Sequence, residues 1–385
     1  MSILRDLFRS PSTTDPGPWG QGMVRWGGYN TGSAVDTEQS MRLSAVFACL
    51  RLLSEAVATM PLDTFVRSDG ARVPYRPKPD YLSFQPPLGS RIDYLSQVML
   101  SLLTDGNAFV ATPRDPLGVP VGLVVIDPTK VKVKRDTSGT VTFEVGNGVY
   151  GELDVMHIKG MSLPGELRGL SPLGYARETI DLGLSAQRYG ASFFANGALP
   201  GAIVEAPGSF SQDAADRVAA MWNSKHQGTG NASKVGVLTN GAKLTKVSVN
   251  PEEAQFLETR QFQVPDVARI FGVPPHLIAD ASNSTSWGSG LAEQNLAFGQ
   301  FSLRPWVDRI EDAHGRLLTT HGLPNVFVKL NMDALLRAGT TERYAAHKTA
   351  LDAGFMTVNE VRRLEDLPPL PPAPPAPPTP PKETP

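Results

Sequence analysis

PEEAQFLETRQFQVPDVARIFGVPPHLIA, residues 251–279, runs into DASNSTSWGSG (280–290) and then into LAEQNLAFGQFSLRPWVDRIEDAHGRLLTTHG (291–322). In the first stretch Phe256, Phe262, Val267, Ile270 and Phe271 form the apolar set of a helix, with Pro265 as an expected kink. The middle stretch is small and polar apart from Trp287, so it reads as a loop between two long helices. The third carries Leu303, Trp306, Val307, Ile310 and Leu317 on one face. Gly299 and Pro305 lie inside it, and both predict a helix bent in the middle.

Upstream, residues 201–250 read as a small α/β insertion. A strand, AIVEA, precedes a helix from Ser211 with Ala215, Val218, Ala219 and Trp222 on one face; KVGVLTNGAKLTKVSV follows, with a hairpin signal at Asn240-Gly241. The insertion holds five Lys/Arg (Arg217, Lys225, Lys234, Lys243, Lys246) against three acids (Glu205, Asp213, Asp216). Before it, Ser171 and Pro172 suit the N-cap and first position of a helix of about 25 residues that stops at Asn196-Gly197. That helix is apolar on two sides: Leu173, Ala176, Ile180 and Leu184 on one, Leu182, Ala186, Tyr189 and Phe193 on the other. It should be packed from two directions, and a second subunit is one candidate neighbour.

The fold is expected to begin near Ser44. SAVFACLRLLSEAVATM (44–60) sets Val46, Phe47, Leu50, Leu53, Val57 and Met60 at helical spacing and ends at Pro61, with Cys49 as a small core residue. RIDYLSQVMLSLLTDGNAF (91–109) predicts a second helix that stops at Asp105-Gly106-Asn107. Residues 121–160 alternate apolar and polar side chains, with turn signals at Ser138-Gly139 and Asn147-Gly148, and read as one antiparallel meander with His157 in its last strand. Beyond the bent helix come a strand, NVFVKL, and two short helices, the second opened by a capping box of Thr357 and Glu360. Residues 1–40 show neither helical nor strand period and read as an arm. Eleven of the last 18 residues are proline, so 368–385 reads as an extended spacer. The fold class is α+β.

Composition narrows the function. Lys+Arg 36 against Asp+Glu 38 leaves a formal net charge of -2, so no basic field grips nucleic acid, which argues against a DNA-binding scaffold protein. One cysteine excludes an intrachain disulfide and suits a reducing cytoplasm. No stretch approaches the apolar length of a membrane span, so no membrane partner is expected. A phosphate loop is absent, and the six histidines show no metal spacing, so neither a metal nor a cofactor is expected. A cytoplasmic serine hydrolase would have to use Ser171, which lacks nucleophile-elbow spacing and is explained as a helix cap; no catalytic residue is assigned.

The order of these pieces resembles the phage portal protein family over roughly residues 40–367. The segments that carry it are SAVFACLRLLSEAVATMPL, DGNAFV, DVMHIKG followed by GLSPLGYARETI, YGASFFANGALPGAIVEA, EEAQFLETRQFQVPDVARIFGVPPHLIAD and TVNEVRRLEDLPPL. The resemblance implies a non-enzymatic homo-oligomeric ring, typically twelvefold, at the portal vertex of the virion capsid, assembled in the host cytoplasm. Its channel would pass double-stranded DNA during packaging and ejection. Implied partners are the terminase large subunit, a head-completion or adaptor protein, and the major capsid and scaffold proteins. The implied layout is a flexible arm (1–40), a wing (41–170), a first stem helix (171–200), an α/β clip (201–250), a second stem helix (251–279), a tunnel loop (280–290), a bent channel helix with a return strand to the wing (291–337), a small helical crown (338–367) and a proline-rich tail (368–385). Tunnel-loop candidates are Ser282, Asn283, Ser284, Thr285, Ser286 and Trp287. Motor-docking candidates in the clip are Arg217, Trp222, Lys225, Lys243 and Lys246. Residues 251–320 hold nine acids and five Lys/Arg, so a ring of such segments would repel rather than clamp phosphates.

Overall fold

The computed structural model describes residues 37–84, 89–195, 202–205, 213, 217, 220, 243–246, 264–279, 289–332, 340–365 and 367–371. The chain divides into two compact units, 1–331 and 332–385.

In the first unit, helix α1 (Thr37–Met41) precedes α2 (Ser44–Thr59). Helical structure therefore starts inside the span read as an arm, because Ser40 is already buried. On α2, Val46, Leu50, Leu53 and Val57 are almost completely buried, with Met60 just beyond its end, and Cys49 lies among them. Burial pushes the Cys49 thiol up to about 12, which keeps it an inert core group. Phe47 departs from the expected stripe and is half exposed; α2 packs against the next helix, α3 (Arg91–Asp105). Ser90 caps α3 by accepting the Asp93 N–H at 3.1 Å, and Gly106 ends it at φ +82°.

Three sheets follow, each of three antiparallel strands. In the first, β1 (Leu62–Ser68) lies between β2 (Ala71–Pro74) and the late strand β11 (Val326–Leu330). In the second, β3 (Asn107–Ala111) lies between β4 (Val124–Ile126) and β8 (Val155–Lys159). The third is the hairpin series β5 (Val131–Arg135), β6 (Val141–Val145) and β7 (Gly148–Tyr150). The single meander expected over 121–160 is therefore split. Strand β8 leaves it to pair with β3, Phe109 opposite His157. The reason is burial: β3 is buried along its whole length and needs partners on both edges. Phe109, Ile126, Val131, Phe143, Val145 and Val155 then share one core.

The long helix expected after Ser171 is two helices, α4 (Pro172–Tyr175) and α5 (Arg177–Ala195), broken at the fully buried Ala176. Leu173, Ala176 and Ile180 dock inward, whereas Leu182 and Tyr189 are 58% and 59% exposed. Strands β9 (Ala202–Glu205) and β10 (Lys243–Lys246) pair antiparallel and draw together the two ends of the 201–250 segment. Helix α6 (described over 264–271) contains Pro265. It buries Val267, Ala268 and Phe271 but leaves Ile270 partly exposed. A 3₁₀ turn (Pro275–Ile278) follows; α7 (Ser289–Ala297) passes through a π-helical turn (Phe298–Leu303) into α8 (Arg304–Thr320). The bend expected from Gly299 and Pro305 takes this form. Pro305 has no N–H to donate and its ring crowds the carbonyl four residues back, so the ladder widens there.

The second unit holds α9 (Thr340–Asp352) and α10 (Val358–Leu364). The capping box forms, with Thr357 and Glu360 exchanging hydrogen bonds. Arg343 grips Glu365 through two nitrogens at 2.7 and 3.0 Å, and His347 Nε2 reaches the same carboxylate at 2.9 Å.

Candidate functional site

Two constructions in the first unit position the segments that carry the motifs. The first is a joint where the turn after α3 meets the segment before α4. Asn107 is fully buried. Its Nδ2 donates to the Asp105 carboxylate at 2.8 Å and to the Gly169 carbonyl at 3.2 Å, while its Oδ1 accepts the Gly169 N–H at 2.6 Å and His157 Nε2–H at 3.0 Å. Arg168 ion-pairs with Asp105 at 2.6 Å, donates to the Val131 carbonyl at 2.8 Å and lies 5.2 Å from the centre of the Phe109 ring, on which His157 stacks at 4.4 Å. A Cβ on Gly106 would stand 2.1 Å from the Leu170 carbonyl oxygen, and one on Gly169 2.3 Å from that of Gly106. Only glycines allow the two turns to interlock. Burial, then the charges of Arg168 and Lys159, lowers the His157 pKa to about 3, so the ring is a neutral donor held in place.

Ser171 completes this joint. Its hydroxyl accepts the Gly174 N–H at 2.8 Å and donates to the Thr104 carbonyl at 2.5 Å. Both roles of the oxygen are taken by backbone groups, which leaves no general base on it. The hydrolase reading has no support.

The second construction joins the elements on either side of residues 280–288. Ser302 in the π-helical turn donates to the Gly272 carbonyl, and His276 Nε2 lies 3.4 Å from Asn295 Oδ1, so α6 and its 3₁₀ turn are tied to α7 and the π-helical turn. Helix α8 is fixed to β11 and to α3 through two buried polar side chains, Glu311 and His314. Glu311 pairs with Lys329 and accepts the Leu330 N–H at 2.8 Å. His314 donates from Nδ1 to the Ile310 carbonyl at 2.7 Å and accepts the Tyr94 hydroxyl at 2.9 Å. Burial lowers the His314 pKa to about 4 and raises that of Tyr94.

Charge in this region is more balanced than the 251–320 count implies. The described part holds five acids (Asp266, Glu293, Asp308, Glu311, Asp312) and four arginines (Arg269, Arg304, Arg309, Arg316), a net of -1. Three of the acids pair with an arginine on their own helix, Glu311 pairs with Lys329, and Arg309 donates to the Lys159 and Gly160 carbonyls. The rest of the surplus, Glu252, Glu253, Glu258 and Asp280 against Arg260, lies outside the described residues.

The loop candidates Ser282, Asn283, Ser284, Thr285, Ser286 and Trp287 also lie outside the described residues, as do Trp222 and Lys225. Lys243 and Lys246 are the first and last residues of β10, opposite Glu205 and Ala202. Arg217 is helical and exposed, and its Nε donates to the Asp213 carbonyl at 3.0 Å. Among the described residues no cluster of His, Cys, Asp or Glu could hold a metal ion, and no helix is long and apolar enough to cross a membrane. Sequence reading singled out DGNAFV and GLSPLGY as separate motifs but missed that they lock together; the paired glycines Gly106 and Gly169 were the available signal.

The phage portal protein family model matches residues 44–366. The chain belongs to the phage portal protein family. It is similar to the probable portal protein of Streptomyces phage phiC31, with 48% identity over 353 residues, 88% of this chain and 77% of that protein. It is also similar to the portal protein of Enterobacteria phage HK97, with 31% identity over 365 residues, 90% of this chain and 84% of that protein. Among solved structures, a chain from the neck of the empty gene transfer agent particle, computed with C6 symmetry, superposes with TM-score 0.65 at 25% identity, covering 88% of this chain and 95% of that one. An HK97-family portal protein from Corynebacterium diphtheriae superposes at 0.58 and 22% identity, covering 80% and 99%. Two of the segments that carry the resemblance, DGNAFV and GLSPLGY, thus meet in the joint that seats α4 and α5.

Proposed function

We propose that this portal protein works as one wedge of a closed ring, of twelve subunits, at the portal vertex of a tailed-phage capsid, and that its axial channel passes double-stranded DNA during packaging and ejection. The reading rests chiefly on the family match across 44–366. It is supported by the fold shared with chains solved in particle necks under C6 and C12 symmetry. The exposed Leu182 and Tyr189 on α5 also fit a second subunit, as a head-to-tail ring requires. In this reading the chain is structural, not an enzyme. The 201–250 clip, with Arg217, Trp222, Lys225, Lys243 and Lys246, docks the terminase large subunit and later a head-completion or adaptor protein. Major capsid and scaffold proteins meet the ring elsewhere. Ser282 to Trp287 touch the moving duplex through weak, exchangeable contacts.

Electron microscopy and native mass measurement of the purified protein should show a closed ring; a monomer at every salt and protein concentration would defeat the proposal. Deleting Ser282–Ser286 should leave ring assembly intact and lower DNA packaging. A deletion that blocks assembly instead would make the loop a subunit contact.

A further inference from the structure

In the second unit the chain beyond α10 folds back onto that helix. Leu367 N–H donates to the Arg362 carbonyl at 2.7 Å, and Arg362 Nε donates to the Pro368 carbonyl at 2.7 Å. Asn359 makes a two-way contact: its Oδ1 accepts the Leu370 N–H at 2.7 Å, and its Nδ2 donates to the Leu370 carbonyl at 3.4 Å. The start of the proline-rich tail is therefore held by its backbone, through two side chains one helical turn apart.

The sequence repeats the unit that is held. From Leu367 the tail reads LPPLPPAPPAPPTPP, five units of one residue followed by two prolines. A polyproline II helix turns once in three residues, so Leu367, Leu370, Ala373, Ala376 and Thr379 fall along one edge of it. Proline has no N–H, so these five residues carry every backbone donor between 367 and 381. The first two donors are the ones that α10 takes.

The direction of the tail points to where the next unit goes. As the chain advances from 367 to 370, its contacts step back from Arg362 to Asn359, so it runs antiparallel to α10. One further unit advances a polyproline II strand by about 9 Å. That carries it past Val358, where α10 begins, toward the turn that holds Phe355. Phe355 is 72% exposed and Val358 49%. Val358, four residues before Arg362, lies on the side of α10 that the tail follows. An exposed aromatic and an aliphatic side chain ahead of a bound proline strand are the chemistry that polyproline II recognition uses.

We propose that α10 and the turn before it form a docking face for the chain's own tail, with residues 372–379, which lie outside the described residues, continuing as a polyproline II strand over Val358 and Phe355. A proline ring packs on the Phe355 ring there, and no tail N–H is sacrificed because the prolines have none. The segment is then a strap across α10 and not a free spacer.

Photo-crosslinking of the full-length protein, with p-benzoylphenylalanine in place of Phe355, tests the proposal. The main adduct should fall within residues 372–379 and add no mass on a denaturing gel, because the tail belongs to the same chain. Asn359→Ala, and separately a Gly-Ser repeat of equal length in place of residues 372–381, should each lower the adduct yield about fivefold or more while native mass stays unchanged. No adduct to the tail, or an adduct that carries the mass of a second chain or of another protein, would overturn the assignment. So would an equal yield from the Gly-Ser tail, which tethering alone would give, or an unchanged yield with Asn359→Ala.

Discussion

The joint around Asn107 and the contacts that tie α6 and its 3₁₀ turn to α7 and the π-helical turn solve the same problem, seating a helix, in opposite ways. The joint gathers the buried Asn107 and the partly buried Asp105, His157, Arg168 and Ser171 into one connected network, with two glycines that no other residue can replace. The second uses ion pairs three or four residues apart, at least partly exposed, and two single hydrogen bonds between the 269–279 region and α7 with its π-helical turn. The first arrangement holds one geometry. The second satisfies its charges locally, so α7 and its π-helical turn can shift without stranding a buried charge.

That contrast predicts a steep gradient of sensitivity. Gly106→Ala should cost more than about 4 kcal/mol, a large part of a domain's usual stability, because its Cβ overlaps the Leu170 carbonyl at φ +82°. Urea unfolding and soluble yield measure this, and an unchanged midpoint would mean that the joint is not tight. Acid is next. His157 and His314 are neutral in the fold, with pKa values lowered to about 3 and about 4, but titrate near 6.5 when unfolded. The unfolded chain then binds more protons below pH 6.5. Each histidine should therefore remove about 1.4 kcal/mol of stability per pH unit as pH falls from 6.5 toward 4. Urea midpoints at pH 7 and pH 5 should show the drop, and His314→Gln should flatten it; parallel curves would contradict the neutral-histidine account.

Ser171→Ala removes the cap of α4 and the donor to Thr104 and should cost about 1 kcal/mol with no other loss of function, read by thermal melting and packaging assay. At the weak end, Arg304→Ala breaks an exposed pair with Asp308 and should change stability by less than about 0.5 kcal/mol. A larger effect, seen by the same melting measurement, would show that the second arrangement is stiffer than its contacts suggest.

Local signals were readable in the sequence. The caps at Ser171 and Thr357, the stop at Gly106 and most of the α2 stripe follow from side-chain chemistry within a few residues. What failed was partner choice. The alternation in β8 is the same whether its neighbour is β7 or β3, and the turn signals that favoured β7 say nothing about an edge of β3 presented from far along the chain. Glu311 with Lys329, and Tyr94 with His314 across 220 positions, were hidden for a related reason. Charged and polar letters on a helix read as solvated surface until the fold supplies a buried partner. For the site, the motifs were legible but their interlock was not, and the candidate side chains of 282–287 and the clip lie mostly outside the described residues.

Strand β1 is flanked on one side by its own hairpin partner and on the other by β11, made more than 250 residues later. During synthesis, then, that edge stays bare until Val326–Leu330 leaves the ribosome, while everything between is a closed excursion from the sheet. A nascent or prematurely terminated chain that stops before residue 326 exposes an unpaired strand edge of the kind that seeds aggregation. Faulty copies should therefore be lost to precipitation before they could enter a growing particle.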